Sequence, residues 1–163
     1  MLNQYVKHRI YNLENCDVLI IQLKMNKKKI VFTNGCFDIL HRGHLDYLWK
    51  AKELGDILVI GLNSDKSVFR LKGKNRPINN EYDRATMLLS LKPVDYVIIF
   101  EQDTPEKLIA KVQPDILVKG GDYKKEDVIG YDIAKETVIL PFLKNYSTSS
   151  FIKRILTTVN ISA

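Results

Sequence analysis

Long apolar runs are missing from this chain, and its N-terminus, MLNQYVKHRI, has none of the apolar core of a secretory leader. No stretch approaches the roughly 20 apolar residues needed to cross a bilayer. A membrane-spanning or exported protein is therefore not expected, and cytoplasmic residence is. Cysteine is scarce too. Cys16 and Cys36 are the only two, with no CxxC pair, and there are three histidines. That excludes a disulfide framework and argues against a structural zinc site. Internal repeats, low-complexity tracts and interdomain linkers are likewise absent.

What remains is ordinary in bulk. A chain of 163 residues, 45% apolar and 27% charged, suits one compact α/β domain. Its 25 basic and 19 acidic residues leave a net charge of +6. Such an excess fits nucleic acid, an anionic membrane or a phosphorylated small molecule. The charge is spread along the chain, and its one tight run, Lys27 to Lys29, reads as a solvated loop before a strand. There is no aromatic-rich basic strand, RNA-binding signature or basic recognition helix, so a nucleic-acid-binding module is the weaker alternative.

Residues 12–26 read as a helix, so 1–27 is expected to be a helical extension packed on a core domain of 28–163. Short apolar runs at 30–33, 56–61, 95–100, 115–118 and 137–140 read as five buried strands. Helices are expected over 45–54 and 81–91, after Thr104 and Pro105, and over 147–158, with 72–80 as a loop. Strands alternating with helices predict a Rossmann-like, doubly wound α/β sandwich with a mainly parallel sheet. Its ligand crevice lies beyond the strand C-termini.

The chemically suggestive clusters follow predicted strands. TNGCFDILHRGH (33–44) follows the first, NSD (63–65) the second, KGGD (119–122) the fourth, and STS (147–149) comes just past the fifth. They should meet along one sheet edge. His41 and His44, three apart at a helix start, share a face and can reach one ligand. Helix N-terminal N–H groups favour anions, and a polyphosphate would favour protonated imidazoles, so the pair suits a triphosphate better than a metal. A cap (His41) and a packed core residue (His44) are the bland alternatives; Gly43 and the preceding GCFD weigh against them.

Residues 35–44, GCFDILHRGH, resemble the GxFDxxHxGH signature of the cytidylyltransferase-like nucleotidyltransferase superfamily. LKGKNRPIN (71–79), DTPEKLI (103–109), PDILVKGGDY (114–123) and YSTSSFIKRI (146–155) are similar to one branch of it. That branch is the D-glycero-β-D-manno-heptose 1-phosphate adenylyltransferases of lipopolysaccharide-core precursor synthesis. The resemblance implies attack by a sugar 1-phosphate oxygen on the α-phosphorus of ATP, giving ADP-heptose and pyrophosphate. No protein nucleophile is needed, so positioning and charge neutralisation do the work.

On that resemblance His41, His44 and Lys72 are the catalytic groups, Lys72 reaching in from a mobile loop. Thr33, Asn34, Gly35, Phe37 and Gly43 would line the nucleotide site with Lys119, Gly120 and Asp122. Ser147 and Thr148 would hold the β- or γ-phosphate, or simply cap the last helix. Asp38 and Arg76 are expected on the sugar-phosphate side, Asp38 with an alternative role of fixing the loop. Asn145 stands where the family motif has glycine. Mg²⁺ is expected mainly through the substrate phosphates, with no dedicated metal ligand, Asp122 either accepting from the ribose hydroxyls or helping to place the ion. A homodimer, no membrane or nucleic-acid partner, and a separate upstream sugar kinase are also expected, since 163 residues leave no room for the kinase domain fused to many relatives. The same chemistry with another sugar or polyol phosphate, or with CTP or GTP, is the alternative.

Overall fold

The computed structural model describes residues 2–143 and 146–158. Six strands form one sheet: β1 (Ile10–Asn12), β2 (Ile30–Gly35), β3 (Ile57–Asn63), β4 (Tyr96–Phe100), β5 (Ile116–Gly120) and β6 (Glu136–Leu140). Among the described residues seven α-helices accompany them: α1 (Leu2–Lys7), α2 (Asp17–Met25), α3 (Arg42–Lys52), α4 (Asp65–Lys72), α5 (Glu81–Leu89), α6 (Glu106–Val112) and α7 (Thr148–Thr158). Every strand pair is parallel, in the order β1-β4-β3-β2-β5-β6.

Strands in such a sheet are apolar on both faces because helices cover both. Alternate side chains divide accordingly. Val31, Leu58 and Ile60 pack with Leu48 and Ala51 of α3 and Leu88 of α5. Phe32 and Val59 pack on the other face with Leu19 and Leu23 of α2 and Leu108 and Val112 of α6. The topology then fixes where a ligand can sit. From β2 the chain winds through α3 to β3, whereas from β4 it crosses back through α6 to β5 on the other side of β2. The strand order reverses between β2 and β5, and a crevice opens there at the strand C-termini.

Three features differ from the sequence expectation. The sheet has six strands, not five, because Ile10–Asn12 pairs with β4 at the register Ile10 to Val97. Three residues carry too little pattern to announce a strand; side-chain bonds from Arg9 to the carbonyls of Asp95 (2.8 Å) and Val94 (2.5 Å) tie it down. Residues 1–27 therefore supply an edge strand as well as helices, and the helix expected from residue 12 begins at Asp17. Lastly, Asp65–Lys72 is a helix, capped by the Ser64 hydroxyl accepting from Ser67 N–H at 3.2 Å. It stops at Gly73, whose φ of 92° a side chain would resist, so Lys72 ends a helix rather than riding a loop.

Candidate active site

At the switch point a cleft of about 720 Å³ opens beyond the strand ends. Asn34, Gly35, Cys36, Phe37 and Asp38 from the end of β2 form its base, with Asn63 from β3 and Lys119 from β5. Lys72, at the end of α4, Arg76 and Thr148, at the start of α7, complete its polar wall. A side lobe of about 260 Å³ shares Asn34, Gly35, Phe37, His44 and Lys119, and is closed by Gly120, Tyr123, Phe142 and Tyr146. The arrangement is a polar trough in which Lys72, Arg76 and Lys119 outnumber Asp38 and Asp103, with an aromatic annex, a shape suited to a phosphate-bearing ligand that also has a ring to stack.

His44 borders both chambers, while His41 lies behind it. Their rings stack face to face, with centroids 3.8 Å apart and planes 16° apart. On its other side His44 meets the Phe37 ring, tilted by 59° at 5.3 Å. Among the described residues neither Nδ1 has a partner, although both atoms are buried. Burial, reinforced by the neighbouring imidazole, pushes the pKa of His44 down to about 4, and burial lowers that of His41 as well. Both rings are thus neutral in the free protein at pH 7, and an incoming anion would draw protons onto them.

Glycine makes this packing possible. A Cβ at Gly43 would stand 2.8 Å from Cβ of Tyr146 and 3.1 Å from His41 Nδ1. A Cβ at Gly35 would stand 3.0 Å from the ring of Phe37, which folds back in the left-handed region at φ 45°. That conformation costs a non-glycine residue roughly 1–2 kcal/mol.

Asp38 is 2% exposed, and its carboxylate is engaged by its own protein. It accepts from the N–H of Ile78 at 2.8 Å and of Asn79 at 3.0 Å, and pairs with Arg76 Nε at 2.5 Å. This is the loop-fixing role; little of the carboxylate is left for a substrate. Arg76 still borders the cleft. A second clasp comes from Arg84, fully buried in α5. It donates to the carbonyls of Asn79 (2.9 Å) and Cys36 (2.6 Å) and to the Asp65 carboxylate (2.8 Å). One side chain thus joins two loops of the site and the start of α4.

The remaining candidates separate. Asn34, Gly35, Phe37, Gly43, Lys119 and Gly120 border the chambers. Burial lowers the pKa of Lys119, whose ammonium is poorly hydrated and receptive to an anion. Thr33 does not reach the cleft: its hydroxyl is buried 2.6 Å from that of Tyr47, which donates to the Val118 carbonyl. Ser147 faces a 110 Å³ recess beside His41, with its hydroxyl accepting from Ser150 N–H at 3.1 Å, so it caps α7. Asp122 is exposed and borders neither chamber. Asn145 lies outside the described residues.

Arg84, Tyr123 and Phe142 are the residues sequence reasoning missed. Phe142 could have been found, since it follows β6 as the other clusters follow their strands. A lone arginine within EYDRATMLL gave no such signal.

Comparison with known proteins agrees with this geometry. The cytidylyltransferase-like family profile matches residues 32–158. A protein named Bifunctional protein HldE from a Nitratiruptor species is 57% identical over 145 residues, 89% of this chain and 31% of that one. The protein of the same name from Helicobacter pylori (strain Shi470) is 60% identical over 142 residues, 87% of this chain and 31% of that one. The chain thus spans about a third of the curated relatives it matches. Among solved structures, the lipopolysaccharide core biosynthesis protein from Thermoplasma volcanium GSS1 superimposes with a TM-score of 0.60 at 34% identity, covering 74% of this chain and 99% of that one.

Proposed function

The chain belongs to the cytidylyltransferase-like family, and from that premise we propose that it transfers AMP from ATP to D-glycero-β-D-manno-heptose 1-phosphate, giving ADP-heptose and pyrophosphate. The observation that carries the reading is the meeting of His44, Lys72, Arg76, Lys119 and Thr148 around one cleft at the switch point. The choice of sugar rests on LKGKNRPIN and PDILVKGGDY, and accords with the lipopolysaccharide-core role ascribed to the Thermoplasma volcanium protein.

In this reading an oxygen of the sugar 1-phosphate bonds to the α-phosphorus as the bond to the bridging oxygen breaks, and pyrophosphate leaves with the electron pair. The protein supplies placement and charge. His44, at the start of α3, faces the α-phosphate, where helix N–H groups also point. His41 supports the His44 ring from behind. Lys72 and Lys119 flank the polyphosphate, Thr148 receives its far end, and Arg76, held by Asp38, meets the acceptor phosphate. Tyr123, Phe142 and Tyr146 enclose the adenine in the side lobe.

Mg²⁺ accompanies the triphosphate in this chemistry. Among the described residues no group of three or more His, Cys, Asp or Glu side chains could hold a metal ion. Asp38 is occupied by its loop and Asp103 pairs with Arg70 at 2.7 Å. Among the described residues the side chains present do not form a metal cage.

The test is pyrophosphate release from ATP and heptose 1-phosphate, with ¹⁸O in the acceptor phosphate. The reading requires ¹⁸O in the bridge of the product and loss of turnover in His44→Ala. Release of unlabelled AMP would sink it, because water would then be the nucleophile.

A further inference from the structure

At the opposite pole of the sheet, where the strands begin, a second concavity of about 610 Å³ is lined by Lys24, Lys27, Lys28, Lys29 and Lys135. Five strand steps of about 3.3 Å separate Ile30, at its edge, from Gly35 in the active-site cleft, roughly 17 Å away. One ligand the size of a mononucleotide cannot fill both, so the second concavity is a place of its own.

Its charge is unbalanced. Among the described residues Asp115 is the only carboxylate in the lining. It is already committed, accepting from Ile30 N–H at 2.7 Å and pairing with Lys135 Nζ at 2.7 Å. Lys24 bonds only a neutral group, the Gln113 side-chain carbonyl, at 2.9 Å. Among the described residues, Lys24, Lys27, Lys28 and Lys29 form no ion pair with any carboxylate. Helices α2 and α6 end at this pole, and their C-terminal carbonyls attract cations. Each helix end is worth only about half a negative charge. Two of them leave most of four ammonium groups uncompensated. Lys27 moreover holds φ 50° at the end of α2, a position usually given to glycine or asparagine.

We infer that this pole binds a compact polyphosphate, two or three linked phosphate groups held by Lys24, Lys27, Lys28 and Lys29. The volume matches pockets for small ligands. The lining has no aromatic side chain on which successive bases could stack, which favours a small polyanion over single-stranded nucleic acid. Inorganic polyphosphate and the phosphate tail of a nucleotide offer the same chemistry.

The experiment is calorimetric titration of tripolyphosphate, and separately of ATP, into the full chain bearing His44→Ala and Lys72→Ala, which weaken the cleft. The expected result is binding of one equivalent that falls with added salt and weakens at least tenfold when Lys27→Gln, Lys28→Gln and Lys29→Gln are added. Equal affinity for the two probes assigns recognition to the phosphates alone; tighter ATP adds a nucleoside contact; both support the site. Amide shifts at Lys27 to Ile30 and at Asp115 on adding tripolyphosphate report the same event without the lysine variants. No binding, binding unaffected by the three substitutions, or a 12-mer oligonucleotide that outcompetes tripolyphosphate at these lysines overturns the inference.

Discussion

The imidazoles of His41 and His44 stack at 3.8 Å with both Nδ1 atoms buried and, among the described residues, unpartnered. Two cations would not remain so close in a partly apolar setting, and burial beside the second imidazole pushes the His44 pKa from its ordinary 6.5 down to about 4. Between those values the unfolded chain binds a proton that the folded chain refuses, so stability rises with pH across that window. Wild-type protein is expected to lose stability as pH falls from 6.5 toward 4, more steeply than His44→Gln. Urea midpoints at several values within that window measure it; parallel slopes would contradict the assignment. Bound ATP should raise the His44 pKa, visible in the ring-proton titration.

Asp38 anchors the 76–79 loop through the N–H groups of Ile78 and Asn79 and through Arg76. Removing a buried carboxylate that pairs with Arg76 and accepts from two backbone N–H groups costs about 3 kcal/mol or more. Asp38→Ala should lower stability by about that much in urea unfolding and raise KM for the sugar phosphate by freeing Arg76. A variant of unchanged stability with only KM altered would return Asp38 to the substrate.

Gly43→Ala tests the tight passage beside His41. The added methyl meets Tyr146 Cβ at 2.8 Å, and Tyr146 backs onto both the aromatic lobe and the His41 recess. A rise in KM for ATP of at least tenfold is expected, with a thermal midpoint only a few degrees lower. Wild-type kinetics would show that the wall moves freely.

The sheet was legible in the sequence because each core strand is an apolar run bounded by turn residues, as in Ile30 to Phe32 and Ile57 to Ile60. Convergence of the clusters followed from the same pattern, since parallel strands deliver their C-terminal residues to one edge. Local pattern could not reveal partnerships made at a distance. Thr33 looked like site floor, but Tyr47, fourteen residues on, takes its hydroxyl. Asp38 looked available until Ile78 and Asn79 turned their N–H groups toward it. Lys72 sat among loop formers, yet the helix before it lasts until Gly73. Lys27 to Lys29 read as a solvated loop; only the fold brings Lys24 and Lys135 around them.

Adenylyl transfer to a heptose 1-phosphate is decided by a substrate matrix. Pyrophosphate release would be followed with Mg²⁺ for ATP, CTP, GTP and UTP against both anomers of D-glycero-D-manno-heptose 1-phosphate and against a polyol phosphate. Turnover is predicted with ATP and the β-anomer at a kcat/KM well above every other pair, falling by about 10²–10³ in His44→Ala. Preference for CTP with the polyol phosphate, or no release from any pair by folded protein, would contradict it.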